Sequence, residues 1–272
     1  MDTDIVRFEK NGPVACLTLN RPEQLNGLDI ALQKALLQRL EQVRQDPSIR
    51  SLMLTAQGRA FSAGGDLELL LADGPDGMSA ADAAAAMMRE WSNPLIAALE
   101  ELPVATVCAV QGVAAGAGAS LALSCDLVIA AEDAFFLLPF LPKLGLVPDL
   151  GMSWYLARGI SRARALGLML LGPRLSAPQA QQWGLIWDTV PKDQLQSQAS
   201  QLATTLASSP ASAALEARRA LYRAYQSDLS DQMAYETDRQ QTLLASADFR
   251  EGARAFLERR PARFGPRPAP DL

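Results

Sequence analysis

Val104-Ala105-Thr106-Val107-Cys108-Ala109-Val110-Gln111-Gly112-Val113-Ala114-Ala115-Gly116-Ala117-Gly118-Ala119-Ser120-Leu121-Ala122-Leu123 is an uncharged run at the middle of the chain. From Leu102 to Cys125 no residue is charged, and on length alone the run could cross a bilayer. Pro103, Gln111, Gly112, Gly116, Gly118 and Ser124 interrupt it, so a membrane span is the poorer reading. Val104–Val110 is β-branched and of strand length; a Gly-rich turn and a buried helix follow. The same succession occurs earlier, over Leu52–Leu71, with the turn Phe61-Ser62-Ala63-Gly64-Gly65-Asp66. In both places the chain leaves a buried strand and enters a helix, where backbone N–H groups lack partners. Small residues would let a ligand oxygen approach that backbone, and two such loops could place two donors on one oxygen. They would equally let strands and helices pack closely, and both readings stand. Neither loop carries G-x-G-x-x-G or a Walker lysine, which excludes the usual nucleotide-phosphate cradles.

Working outward, Asp4–Glu9 and Val14–Asn20 predict a hairpin turning at Asn11-Gly12. Asp29 predicts an N-cap for a helix to Gln45, with Leu32, Leu36, Leu37, Leu40 and Val43 on one side. Ile49–Thr55, Asp126–Ala130, Ala134–Leu138 and Ile186–Val190 predict strands. Ala72–Met78, with Asp73-Gly74-Pro75-Asp76-Gly77, is the candidate mobile loop. Ser79–Glu101 predicts an Ala-rich helix kinked or broken at Pro94. Ser176-Ala177-Pro178-Gln179 has a capping-box layout, and Ser209-Pro210 separates two helices. The expected organisation is an α/β core over 1–191, a helical C-terminal region over 192–260 and a Pro/Arg-rich tail over 261–272.

Composition narrows the chemistry. The 272 residues are 49% hydrophobic and 20% charged, enough for a large self-supporting core. Histidine is absent, which removes Ser-His-Asp and Cys-His nucleophiles, histidine bases and histidine-ligated metals. A net charge of −5 argues against non-specific nucleic-acid binding. Cys16, Cys108 and Cys125 each sit in apolar runs without a CxxC, as reduced buried thiols do in a cytoplasmic protein. Met1-Asp2-Thr3-Asp4 lacks the apolar core of a signal peptide.

The loops then acquire a family context. Asn20-Arg21-Pro22 with Gly58-Arg59-Ala60-Phe61-Ser62-Ala63-Gly64-Gly65-Asp66-Leu67 resembles the first half of the crotonase (enoyl-CoA hydratase/isomerase) signature. Ala109–Gly118 with Leu121-Ala122 and Cys125-Asp126 resembles the second, and Leu144-Gly145-Leu146-Val147-Pro148-Asp149 with Gly151 a third. Leu175-Ser176-Ala177, Trp183-Gly184-Leu185 and Arg250-Glu251-Gly252 with Ala255–Arg260 extend the likeness in order along the chain. The resemblance implies an α/β, crotonase-like spiral of β-β-α turns and a C-terminal helical region that makes trimers or dimers of trimers. It implies acyl-CoA substrates, with CoA arriving as part of the substrate and no separate cofactor or metal. Position by position, it implies oxyanion donors at the N–H groups of Gly65 and Ala117, the second standing where the family usually has glycine. Ala63, Gly64, Gly65, Asp66 and Leu67 would contact the CoA adenine through their backbone.

The departures concern the acids. Where family hydratases carry two glutamates, this chain has Ser120 and Phe140, neither able to activate water at neutral pH. Asp149 remains at a position where family isomerases keep a carboxylate, and two readings stand for it: a proton-shuttling base, or a cap on the next helix. The implied activity is acyl-CoA isomerisation, shifting an enoyl double bond or converting an epoxidised phenylacetyl-CoA to its oxepin form. A hydratase with an atypical acid, a dehalogenase-type enzyme using Asp149 as nucleophile, and a non-catalytic CoA-binding protein are the alternatives. The second of these lacks the histidine base its relatives use. Asp66 is a candidate helix cap, and Asp126 a fastener of local backbone. Trp91, Trp154, Tyr155, Phe135, Phe136 and Phe140 could line an acyl pocket or simply be core. Arg259, Arg260 and Arg263 could reach a CoA phosphate or form a solvated terminus.

Overall fold

The computed structural model describes residues 4–265 and 267. Met1-Asp2-Thr3 and half of the expected tail lie outside the described residues. In chain order the described elements are β1 (Val6–Asn11), β2 (Val14–Leu19), α1 (Ile30–Gln45), β3 (Ser51–Ala56), α2 (Leu67–Leu71), α3 (Ala80–Met87) and α4 (Asn93–Glu100). There follow β4 (Ala105–Val110), β5 (Val113–Ala115), α5 (Ala117–Leu123), β6 (Leu127–Ala131), β7 (Phe135–Leu137), α6 (Met152–Gly159) and α7 (Arg162–Leu171). The last are β8 (Leu175–Ser176), α8 (Ala177–Gln182), β9 (Asp188–Val190), α9 (Leu195–Ala207), α10 (Ala211–Ala224), α11 (Leu229–Leu244) and α12 (Ala247–Leu257).

Two sheets explain the repeated strand-turn-helix pattern. A six-stranded sheet runs β1-β2-β3-β4-β6-β9, parallel except for the β1–β2 hairpin, and a three-stranded sheet runs β5-β7-β8. After β4 the chain turns through Gly112 (φ 59°) into β5 and then α5; after β6 it turns into β7. Ser62 bridges Ala114 in parallel, so the loop after β3 adds one more rung to the smaller sheet. Each turn of the spiral thus delivers one strand to each sheet. β2, β3 and β4 are buried along their whole length, which is why they read as continuous apolar runs.

The hairpin forms with its two-residue turn at Gly12-Pro13, one position beyond the expected Asn11-Gly12. Asp29 caps α1 by accepting from the Leu32 N–H at 2.8 Å, and Leu32, Leu36, Leu40 and Val43 are buried. The helix expected over Ser79–Glu101 is two helices joined by a π turn, Met88–Ser92, just before Pro94. Proline has no N–H to return to the preceding turn, so the wider turn sits where the α ladder is already open. β5 has no counterpart among the expected strands, because three small residues after a glycine carry no periodic signal.

The C-terminal part is fastened to the core by arginines. α9 lies across β3 and β4, with the Ser51 hydroxyl donating to the Ala203 carbonyl at 2.8 Å. Arg50 Nε donates to the Ala207 carbonyl at 2.7 Å, satisfying the C-terminus of α9. Arg218 on α10 is buried; its Nε and Nη2 each reach Asp126 at 2.7 Å, and further bonds go to the Leu102 and Val104 carbonyls. Asp126 also accepts from the Thr106 N–H at 2.8 Å, so it fastens local backbone as expected and anchors α10 besides. Part of the tail folds back onto the core: Arg267 is buried and donates to the carbonyls of Val43 at 2.6 Å and Asp46 at 3.0 Å.

Candidate active site

The two Gly-rich loops lie against each other. The Ala115 N–H donates to Ser62 O at 2.9 Å, and the Phe61 N–H to Val113 O at 3.0 Å. A Cβ on Gly64 (φ 99°) would stand 2.7 Å from the Ala115 carbonyl oxygen, and one on Gly118 would stand 2.6 Å from Ser62. Small residues are thus required here for close packing of the two loops. Buried Asn26 holds the first loop from below: its Nδ2 donates to Gln57 O at 3.0 Å and Ala60 O at 3.1 Å, and its carbonyl accepts from Ser62 at 2.8 Å.

Ala117 opens α5, so its N–H has no helix carbonyl four residues back. No acceptor for it or for the Gly65 N–H occurs among the hydrogen bonds of the described residues. Gly65, Ala117 and Asp149 line one small cavity of about 20 Å³, with Asp66 at its edge. Its wall is Leu28, Leu69, Leu70, Met87, Met88 and Leu150, and two polar side chains, Gln33 and Ser92, complete it. The space holds about one water. An acyl group enters only if the wall yields, and unbranched methionine is the side chain best suited to yielding.

Asp149 does not cap a helix. Gly151 occupies the cap position of α6, with no side-chain bond to the helix N-terminus. The Asp149 carbonyl is held from two sides, by the Ser120 hydroxyl at 3.1 Å and the Met152 N–H at 3.0 Å. Its carboxylate, in contrast, has a buried oxygen, Oδ1, with no partner among the described residues. Burial pushes this carboxyl up to about 6, against a small opposing effect of its own N–H. Next to it Leu150 adopts a left-handed φ of 49°, a conformation that costs a non-glycine residue roughly 1–2 kcal/mol. A fixed backbone, a strained neighbour and an unpaired carboxylate beside unpaired N–H groups are suited to taking a proton from a carbon next to a carbonyl.

The remaining residues are distributed as follows. Asp66 caps α2, accepting from the Glu68 N–H at 3.0 Å. Ala63, Gly65, Asp66 and Leu67 form an exposed edge beside the cavity, while Gly64 is buried. Phe140 is buried near Gly116, away from the cavity lining, and Ser120 is fully buried. Trp91 lies under the Lys34 ammonium and Phe135 under the Arg174 guanidinium, and neither they nor Phe136 line the cavity. Trp154 and Tyr155 line a larger space of about 590 Å³ between the core and α10, which shares no residue with the Asp149 cavity. Arg260 is paired with Glu251 and Glu258, both at 2.7 Å, and lines a separate depression with Arg263. Among the described residues no three His, Cys, Asp or Glu side chains gather as a metal site. No described helix is long and apolar enough to cross a membrane.

Sequence reasoning missed Asn26, Gln33, Ser92, Met87 and Met88. For Gln33 a signal existed: it interrupts the apolar stripe of α1, in register with Leu36 and Leu40, and is buried. The others depend on how distant segments meet.

The sequence model of the family described as enoyl-CoA hydratase/isomerase matches residues 9–267. The chain belongs to this family. It is 46% identical to the 1,2-epoxyphenylacetyl-CoA isomerase of Escherichia coli (strain K12), over 92% of this chain and 94% of that one. Among solved structures it is similar to an enoyl-CoA hydratase from Polaromonas sp. JS666, with a TM-score of 0.89, 33% identity, and coverage of 96% and 99% of the two chains. It is also similar to the enoyl-CoA hydratase from Bacillus anthracis, with a TM-score of 0.86, 30% identity, and coverage of 96% and 98%. The crotonase-like architecture and enzymatic character of the family thus extend to this chain, with both hydratases and an isomerase among its relatives.

Proposed function

We propose that the protein is an acyl-CoA isomerase with one carboxylate base, acting on 1,2-epoxyphenylacetyl-CoA and on enoyl-CoA thioesters. The observation that carries this reading is the unpartnered Asp149 carboxylate sharing a cavity with the Gly65 and Ala117 N–H groups. Asp149 removes a proton from the carbon beside the thioester, and the C–H electron pair moves toward the carbonyl. The resulting enolate oxygen accepts hydrogen bonds from Gly65 and Ala117, which were unpaired beforehand and so need no bond broken. Protonated Asp149 then returns a proton to a carbon further along the acyl group, moving the double bond with no net change in atoms. On the ring epoxide the same proton transfer accompanies opening to the oxepin. A carboxyl at about 6 suits both halves, since it is ionised at neutral pH yet easily protonated in passing. The backbone of Ala63–Leu67, exposed except at Gly64, binds CoA, and a cytoplasmic homotrimer or dimer of trimers is the assembly.

Hydration is the competing reading because hydratases are among the solved relatives. Against it, the Ser120 hydroxyl is engaged with the Asp149 carbonyl and Phe140 is in the core. The test is a turnover screen of phenylacetyl-derived and straight-chain enoyl-CoA thioesters by product analysis. Isomers as the main products support the reading. 3-Hydroxyacyl-CoA as the main product, or binding without turnover across the panel, would replace it.

A further inference from the structure

Gln33 and Ser92 are the two uncharged polar side chains among the cavity residues, and both are about 2% exposed. They come from distant elements, α1 and the π turn, and are bonded to each other: the Ser92 hydroxyl donates to Gln33 Oε1 at 2.7 Å. Gln33 Nε2 donates one hydrogen to the Leu28 carbonyl at 3.2 Å. An amide nitrogen carries two hydrogens, and no acceptor among the described residues takes the second. The Ser92 oxygen likewise accepts nothing there. A buried polar pair with spare capacity is unfavourable in a cavity whose side chains, the two aspartates aside, are apolar, unless something in the cavity uses it. The π turn is itself a less stable backbone, of the kind found at functional sites, and it ends on Ser92.

We propose that Gln33 and Ser92 are specificity-determining residues, reading an ether-type oxygen on the acyl group. The substrate class is CoA thioesters whose acyl part carries an epoxide or cyclic-ether oxygen near the carbon that loses its proton. Such an oxygen has lone pairs and no hydrogen, so it accepts the second N–H of Gln33 while Ser92 orients the amide through Oε1. An acyl group without that oxygen leaves the donor unpaired inside an apolar wall, and sites built this way discriminate strongly against the analogue. The inference rests on the isomerase reading, because it places the acyl group beside Asp149.

The experiment compares wild type, Gln33→Leu and Ser92→Ala in two measurements: kcat/KM on 1,2-epoxyphenylacetyl-CoA, and the Kd of phenylacetyl-CoA, which has the same carbon skeleton without the oxygen. Ser92→Ala is the second variant because it leaves the Gln33–Leu28 bond intact, and melting curves check folding of both. The expected result is a loss of about 10–100-fold in kcat/KM on the epoxide, with the Kd of phenylacetyl-CoA kept within about threefold. A parallel weakening of phenylacetyl-CoA binding would show that the pair only shapes the cavity. An unchanged kcat/KM on the epoxide would overturn the proposal outright. A wild type that isomerises straight-chain enoyl-CoA but not the epoxide overturns this inference alone, whereas a wild type that isomerises neither removes the isomerase reading beneath it.

Discussion

Asp149 combines two properties that pull against each other. Its backbone is held by Ser120 and Met152, yet one carboxylate oxygen is buried without a partner. In the folded protein its carboxyl keeps its proton up to about pH 6, well above an unfolded aspartate. The folded state therefore binds more protons between pH ~4 and ~6, and stability falls as pH rises through that window. Asp149→Asn removes the burden, so the variant should be more stable than wild type above pH 6 by about 1–3 kcal/mol. The advantage should shrink toward zero near pH 4, as melting curves at several pH values would show; a variant that melts below wild type at pH 8 contradicts the geometry. Activity has the opposite dependence: kcat/KM should rise with pH through about 6 as the base ionises. At the two other acid positions, Ser120 is committed to a backbone carbonyl and Phe140 to packing. Hydration of crotonyl-CoA should accordingly be absent or marginal, and turnover near the enzyme median of about 10 per second would refute that. Asp149 was legible because it stands in a local motif after a Gly loop. That it leaves the cap of the next helix to Gly151 was not legible, because this depends on the turn before α6.

Among the elements, those with a local physical cause could be read directly. Asp29 announces α1 by its cap, Ser209-Pro210 separates α9 from α10, and the uncharged run announces β4 and α5. The π turn could be read only as a break, since proline marks where the ladder opens but not how the chain accommodates it. The anchoring of α10 had no local signal at all: Arg218 lies 92 residues from Asp126. Arg218 is buried while Asp126 remains partly exposed, so removing Arg218 chiefly leaves the Leu102 and Val104 carbonyls without their donor. Arg218→Ala should destabilise the fold by about 1–3 kcal/mol, measured by denaturant unfolding. A loss below about 1 kcal/mol would mean that α10 is held by apolar contacts alone.

The C-terminal helices expose several large apolar side chains. Leu221, Leu229, Phe249, Phe256 and Leu257 stand 47–85% exposed along α10, α11 and α12. In the proposed assembly these side chains are covered by a neighbouring subunit. The chain should sediment and scatter light as a trimer or a dimer of trimers at micromolar concentration, and a monomer there would show that this face has another use. The spiral of two sheets has a functional consequence at the same scale, because it brings the loop after β3 against the start of α5 and both against Asp149. We propose this meeting point as an enolate site with a single base. The most direct measurement is kcat of Asp149→Asn for acyl-CoA isomerisation at pH 8, beside wild type. A fall of about 10²–10⁴-fold with the fold intact is expected; an Asp149→Asn variant that isomerises at the wild-type rate would show that Asp149 is not the base.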